Sequence, residues 1–223
     1  MGGLQTKYFL QHQTTQWKAQ YIKRWIPISA PWIGAAKEWR LFATGDPNGL
    51  PVKASTLRDE QRSSETNAWM LPLVGGEAGF NDTVFVTTPG RNYTVNDYDS
   101  FFDDIGYAVG KLVRPRVHAL MSPFTAPGVP VHCLYSTGVP TPFSFKYGGT
   151  STTPDFTKAP VVTTSDGDGT VPEVSLTVCG RWRDQRNGTG FAVNVTTYKG
   201  VDHAGMIQNA AVIKDVIAIL KEA

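Results

Sequence analysis

Two carboxylates and one histidine in the last quarter of the chain are placed where they could do acid–base chemistry. Asp166 and Asp168 lie in one turn, separated by a glycine and preceded by a β-branched run. His203 lies in a glycine-bounded loop between an alternating, β-rich run at 191–198 and a helical pattern at 207–220. An acid at the end of one strand and a histidine after the next strand predict a general base whose tautomer an aspartate fixes.

The turn that holds the two aspartates admits three interpretations, and the sequence excludes one of them. A calcium loop that started at Asp166 would need a ligand at its fifth position, Gly at its sixth and Glu at its twelfth, but these positions hold Thr, Val and Thr. A purely structural turn stays open, because Asp and Gly both favour tight turns. The third interpretation pairs Asp168 with His203, since acid before histidine is the chain order of α/β-hydrolases.

The other three histidines are poorer candidates for a base. His12 lies in a predicted helix, and neither His118 nor His132 has an acid placed after a preceding strand. The two cysteines and the dispersed histidines also show none of the usual ligand spacings of a zinc site. We therefore expect neither a metal ion nor a cofactor.

A catalytic triad also needs a nucleophile, and the sequence lacks the usual motif for one. In α/β-hydrolases the serine lies at a strand-to-helix turn within Gly-x-Ser-x-Gly. No such pentapeptide occurs in the 223 residues. Asp168 and His203 are therefore predicted to be two members of a triad whose serine is absent from this sequence.

Helical and strand-like patterns alternate at both ends of the chain, which predicts an α/β architecture. At the start, a helical pattern at 4–13 is followed by a short apolar run at 25–29 that is typical of a buried strand. Nearer the end, strand-like runs lie at 129–135, 161–164 and 191–198. An amphipathic helical pattern follows them at 207–220.

We interpret the middle of the chain as a cap inserted into this core. From 32 to 130 the periodicity weakens, while glycines, prolines and scattered aromatic residues recur. A strand-like piece at 83–87 and a short helix at 97–105 are expected inside it. The sequence thus predicts core elements at 1–31 and 131–223 around a cap at 32–130, and irregular core packing is the plain alternative.

Composition disfavours two classes of protein. A formal net charge of +2 gives no field that would argue for nucleic-acid binding. No run approaches the 18 consecutive apolar residues that a spanning helix needs. The residues after Met1 also lack the pattern of a secretory signal, so any targeting segment is expected upstream.

Cysteines and sequons favour a secretory compartment. Cys133 and Cys179 permit one disulfide, with two buried free thiols as the alternative. Four Asn-x-Thr sequons would carry glycans in a lumenal protein, at Asn81, Asn92, Asn187 and Asn194. We therefore expect the lumen of the secretory pathway, a lysosome or vacuole, or the extracellular space.

Seven short motifs are distributed nearly from end to end of the chain. They are Ile28-Ser29-Ala30-Pro31-Trp32-Ile33-Gly34, Ala43-Thr44-Gly45-Asp46, Glu60-Gln61-Arg62-Ser63, Trp69-Met70-Leu71-Pro72, Cys133-Leu134-Tyr135, Gly138-Val139-Pro140-Thr141-Pro142 and Asp166-Gly167-Asp168-Gly169-Thr170-Val171. Together they resemble the lecithin:cholesterol acyltransferase family, which includes lysosomal phospholipase/transacylases and phospholipid:diacylglycerol acyltransferases.

The resemblance implies roles for particular residues. Asp168 would orient His203, the general base, while Asp166 would stay a member of the turn. Cys133 and Cys179 fall where the family has a disulfide that brackets the acidic turn, which favours the lumenal interpretation. The fold implied is a partial α/β-hydrolase in which the cap serves as a lid and lipid-binding region.

The start of the chain departs most from the family pattern. Family members carry His-Ser-Met-Gly or a close variant at the nucleophile elbow, whereas this sequence begins Met-Gly-Gly-Leu. The resemblance therefore implies a serine immediately before Met1, with the Met1 backbone N–H in the oxyanion hole.

The resemblance also implies an activity. The complete protein would cleave phospholipid esters through an acyl-enzyme, at a membrane or lipoprotein surface. The 223 residues alone are expected to be nearly inactive without the serine. A non-catalytic lipid-binding homologue is the alternative hypothesis.

Overall fold

The computed structural model describes residues 1–73, 80, 82–121, 124–183 and 190–222. The chain divides into two compact units. Unit 1 comprises Met1–Trp32, Met121–Thr141 and Asp166–Ala223, and unit 2 comprises Ile33–Leu120 and Pro142–Ser165. The contacts thus group residues 142–165 with the middle of the chain. The division into core elements at 1–31 and 131–223 and a cap at 32–130 stays a prediction.

Helices and strands are interspersed along the described residues, which agrees with the α/β class. The helices are α1 Gly2–Gln11, α2 Thr15–Tyr21, α3 Lys37–Ala43, α4 Ala54–Ser63, α5 Glu65–Trp69, α6 Tyr98–Asp104, α7 Gly110–Ala119, α8 Glu173–Leu176 and α9 Ala210–Lys221, with 3₁₀ helices at Thr177–Arg183 and Gly205–Ile207. The strands are β1 Val86–Thr87, β2 Asn92–Tyr93, β3 Val131–Thr137, β4 Thr141–Lys146, β5 Gly148–Gly149, β6 Pro154–Asp155, β7 Val161–Ser165 and β8 Val193–Lys199. Among these described helices, none combines the length and apolar character that crossing a membrane requires.

Unit 1 is built on a parallel ladder centred on β3. All seven residues of β3 pair in parallel with β8. On the opposite edge of β3, Trp25 forms a parallel bridge with Val131, and Ile28 forms one with Leu134. The strand predicted at 25–29 is therefore present as a short stretch of parallel pairing. Because all three segments run in the same direction, their carboxyl ends lie at the same edge of the sheet.

The strand β3 is buried, and apolar side chains of α9 pack on it. Every residue of β3 is buried, as expected for a parallel strand covered on both faces. Leu134 of β3 packs against Met206, Val212 and Ile219, of which the last two belong to α9. The Asn209 side chain caps α9 by accepting hydrogen bonds from the N–H groups of its second and third residues.

Unit 2 contains a four-stranded sheet in the order β2-β1-β4-β7 and an aromatic core. Trp39 of α3 is fully buried. Its ring stacks on Tyr98 with the centroids 4.3 Å apart and meets the Phe101 ring at 4.6 Å. The aromatic residues that are scattered along this part of the sequence therefore converge in the core of unit 2.

Several helices of unit 2 were not predicted from the sequence. The region of weak periodicity contains α3, α4, α5 and α7, whereas the expected helix at 97–105 appears as α6. In α7, Pro115 lies inside the helix, although proline removes a hydrogen bond there. The expected strand at 83–87 is reduced to the two residues of β1.

Candidate active site

Asp168 and His203 are in direct contact within unit 1. The Nδ1 atom of His203 lies 2.7 Å from Oδ2 of Asp168. The His203 backbone N–H also donates to the Asp168 carbonyl oxygen at 2.8 Å. Asp168 is fully buried, whereas 36% of the His203 side chain is exposed. The carboxylate thus fixes the Nδ1–H tautomer, and Nε2 has no hydrogen-bond partner among the described residues.

The turn itself holds the Asp168 carboxylate in one orientation. Its Oδ1 atom accepts hydrogen bonds from the backbone N–H groups of Thr170 and Val171, at 3.0 and 2.7 Å. The Asp168 N–H donates to the Val171 carbonyl at 3.3 Å and closes the turn. Since His203 contacts Oδ2, both oxygens of this buried carboxylate have partners, which offsets the cost of burying it.

The acidic turn is anchored at the carboxyl end of β3. Val139 and Asp168 form a parallel bridge, and the Val139 N–H donates to the Gly167 carbonyl at 3.0 Å. The sequence predicted the acid after a strand-like run at 161–164. That run is present as β7, and it is an exposed strand of the unit 2 sheet.

The histidine loop is attached to the same edge of the sheet. The Gly200 N–H donates to the Thr137 carbonyl at 2.8 Å, and the Val201 N–H donates to the Ser136 hydroxyl at 3.1 Å. Gly200 has a φ of 71°, a left-handed conformation that glycine adopts without steric cost. Asp168 and His203 therefore meet at the carboxyl ends of parallel strands, where α/β sheets commonly bind their ligands.

Asp166 has a separate place in the turn. Its Oδ1 atom accepts hydrogen bonds from the N–H groups of Gly138 and Gly167, at 2.5 and 2.6 Å. Its carbonyl oxygen accepts a hydrogen bond from the Glu173 N–H at 2.9 Å. Asp166 thus connects the end of β3 to the start of α8.

The two cysteines lie side by side in unit 1. Cys133 on β3 and Cys179 in the 3₁₀ helix that follows α8 are both buried free thiols. Burial raises the pKa of the Cys133 thiol, and its hydrogen bond with Cys179 adds to that effect. No covalent bond joins the two sulfur atoms in this structure, so the disulfide stays a prediction.

The remaining predicted site residues lie on other elements. The Met1 carbonyl accepts hydrogen bonds from the first turn of α1, and the oxyanion role of its N–H stays a prediction. Asn92 on β2 and Asn194 on β8 are exposed. Asn81 and Asn187 lie outside the described residues.

The other three histidines lie at the end of α1, on α7 and on β3. His12 is an exposed residue whose Nδ1 contacts the backbone of α1, and His118 lies on α7. His132 on β3 lies 3.8 Å from the Glu222 carboxylate. Within the part of the chain that the structure describes, no cluster of three His, Cys, Asp or Glu side chains could hold a metal ion.

Comparison with known proteins identifies the family. The model of the lecithin:cholesterol acyltransferase family matches residues 1–124 and 110–212. This chain belongs to that family. The lysosomal phospholipase A and acyltransferase of Canis lupus familiaris is 40% identical over 96% of the chain, and that of Mus musculus is 39% identical over all of it. The phosphatidylcholine-sterol acyltransferase of Gallus gallus is 38% identical over 93% of the chain.

The chain spans about half the length of these members of the lecithin:cholesterol acyltransferase family. The matches cover 50%, 52% and 48% of the three relatives, in the order given above. Two of the motifs that carry the family resemblance, at 138–142 and 166–171, build the turn that holds Asp168.

Sequence reasoning missed two hydroxyls of the site. Ser136 bonds to the loop that carries His203, and Thr141 bonds to the acidic turn. Thr141 lies in the family motif at 138–142, and this motif was the sequence signal that could have identified it. No sequence pattern distinguishes Ser136 from other strand residues.

Proposed function

We propose that the chain is the part of an O-acyltransferase or phospholipase that supplies the acid and the base for acting on phospholipid esters. The observation that carries the proposal is the 2.7 Å contact between the buried Asp168 carboxylate and His203. The parallel order of 25–28, β3 and β8, followed by α9, supports a partial α/β-hydrolase core. The names of the relatives, which are phospholipases and acyltransferases, support a lipid ester as the substrate.

The first half-reaction would transfer the acyl group to the enzyme. The serine oxygen, which we assign to the residue immediately before Met1, attacks the ester carbonyl carbon while His203 Nε2 takes the serine proton. Asp168 stabilises the imidazolium, and the Met1 N–H donates to the oxyanion. When the tetrahedral intermediate collapses, the lysophospholipid alkoxide leaves with the proton that His203 returns, and an acyl-serine ester remains.

The second half-reaction would regenerate the free serine and determine which product forms. His203 takes a proton from water or from a lipid alcohol, whose oxygen attacks the acyl-serine carbonyl. Water gives a free fatty acid, and an alcohol gives a new ester. We propose that residues 32–130 form the lipid-binding cap that governs this choice by excluding water.

We place this activity at a lumenal or extracellular lipid surface. Relatives whose names include the word lysosomal support this location. The exposure of Asn92 and Asn194, which leaves both amides accessible to glycosylation, is consistent with it. A phospholipid surface is the partner that follows from this placement.

The test uses the full natural polypeptide with phosphatidylcholine vesicles that contain a lipid alcohol. Released fatty acid and the newly formed ester are measured for the wild type, His203→Asn and the control His12→Asn. We expect His203→Asn to lose at least about 10⁴-fold in kcat for both products, while His12→Asn retains wild-type rates. Retention of either activity by His203→Asn would refute the proposal. Vesicle binding by the wild type without turnover would favour the non-catalytic lipid-binding homologue.

A further inference from the structure

Thr141 is a buried hydroxyl that ties the acidic turn to the chain that leaves β3. The residue has no solvent exposure. Its Oγ1 atom donates to the Val139 carbonyl at 2.8 Å and accepts from the Gly169 N–H at 2.8 Å. A hydroxyl can make both bonds at once because it has one hydrogen and two lone pairs. Gly169 follows Asp168 directly, so the second bond fixes the backbone beside the carboxylate.

Packing between Thr141 and the turn leaves no spare room. A Cβ atom added to Gly167 would lie 2.5 Å from Thr141 Oγ1 and 2.4 Å from the Val171 carbonyl oxygen. Gly169 has a φ of 85°, which L residues with a side chain rarely adopt. The two glycines that flank Asp168 therefore allow the turn to lie directly against Thr141.

Ser136 has the corresponding place beneath the histidine loop. It is fully buried on β3, and its Oγ atom accepts the hydrogen bond from the Val201 N–H. The adjacent Thr137 carbonyl accepts from Gly200. These two bonds attach the beginning of the loop to β3, two residues before His203.

We propose that Thr141 and Ser136 are positioning residues, which hold Asp168 and His203 in register across the carboxyl end of β3. The inference rests on the proposed function, because this register matters only if the pair takes part in proton transfer. Among the described residues, neither hydroxyl bonds to the carboxylate or the imidazole. Both act through backbone N–H groups of the two loops. A displacement of about 1 Å at a catalytic group can cost about 10²-fold in rate, so such supports affect kcat.

A matched pair of variants isolates the Thr141 hydroxyl. Thr141→Val keeps the branched shape and removes the hydroxyl, whereas Thr141→Ser keeps the hydroxyl and removes a methyl group. In the full natural polypeptide acting on phosphatidylcholine vesicles, Thr141→Val should lower kcat about 10- to 100-fold with KM unchanged. Thr141→Ser should stay within about threefold of the wild type.

Proton NMR gives a readout that does not depend on substrate. A strongly hydrogen-bonded imidazole Nδ1–H resonates far downfield, and this signal should be present in the wild type and absent from His203→Asn. Thr141→Val should broaden the signal or move it upfield, and Thr141→Ser should retain it. Should Thr141→Val not fold, Ser136→Ala is measured in the same way and is expected to weaken the same signal and to lower kcat.

The outcomes separate this inference from the proposed function. A Thr141→Val protein with wild-type kcat and an unchanged downfield resonance would overturn the positioning role. A loss of rate that only follows the folded fraction, measured by thermal unfolding, with the resonance unchanged, would overturn it as well. Equal turnover by the wild type and His203→Asn would instead remove the proposed function itself.

Discussion

Replacing Asp168 by asparagine preserves the shape of the buried side chain and reverses one hydrogen bond. The amide oxygen can occupy the place of Oδ1 and accept from the N–H groups of Thr170 and Val171. The amide NH₂ group then faces His203 Nδ1, where the carboxylate oxygen lies 2.7 Å away in the wild type. Two donors cannot share one hydrogen bond, so the imidazole must place its hydrogen on Nε2. A protonated Nε2 cannot take the proton of a serine.

The expected effects of Asp168→Asn on rate and on stability differ widely. The wrong tautomer costs on the order of 10⁴ in kcat in a serine triad. The free energy of unfolding should change by no more than about 1–2 kcal/mol, because both backbone hydrogen bonds to the side chain are kept. Asp168→Ala, by contrast, leaves the buried N–H group of Val171 unpaired, which costs about 1–3 kcal/mol, and it also removes the acceptor of the part-buried Thr170 N–H.

The assay compares Asp168→Asn with Asp166→Asn in the full natural polypeptide. Fatty-acid release from phosphatidylcholine vesicles gives kcat, and urea unfolding gives the stability of the same samples. We expect Asp166→Asn, which changes the neighbouring carboxylate in the same turn, to lose far less activity. A kcat for Asp168→Asn above about a tenth of the wild-type value would refute the assignment of Asp168 as the orienting acid.

Three further predictions concern stability. Gly167→Ala brings a methyl group against Val171 and Thr141. This change should lower the free energy of urea unfolding by about 1–3 kcal/mol. An unchanged free energy of unfolding would contradict the close packing of the turn. Burial raises the pKa of Glu38 from 4.5 to about 8, so the wild type should lose stability as pH rises from about 4.5 to about 8. Glu38→Gln should therefore raise Tm at pH 8 and leave Tm nearly unchanged at pH 4. An equal change of Tm at both pH values would contradict the raised pKa of Glu38. Asn209→Ala removes the cap of α9 and should cost about 1 kcal/mol in the same unfolding experiment, with no loss showing that the cap is dispensable.

In unit 1, β3 and α9 were predictable from their sequence patterns, whereas α2 and α8 were not predicted. The strand-like run at 129–135 and the helical pattern at 207–220 lie close to the observed bounds of β3 and α9. The contact between Asp168 and His203 was predicted from chain order, because acid before histidine is the order of α/β-hydrolases. The structure supplied the distance and the hydrogen bonds.

Unit 2 was less predictable because its signals are not periodic. Most residues of α3 are buried, so it has no contrasting polar face, and α4 is almost entirely polar. Pro115 lies inside α7, where proline is unfavourable, so local propensity does not predict this helix. Isolated strand patterns also do not reveal which sheet a strand joins, so the sequence did not predict that β7 belongs to the unit 2 sheet.

Covalent labelling tests the central claim most directly, because it requires the nucleophile and the base to work together. The full natural polypeptide is treated with a fluorophosphonate, which phosphonylates an activated serine and releases fluoride, and the labelled peptide is identified by mass spectrometry. We predict a label on the serine immediately before Met1, strongly reduced in His203→Asn and unchanged in His12→Asn. Absence of a label at that position, or equal labelling of the His203→Asn protein, would contradict a triad that contains Asp168 and His203.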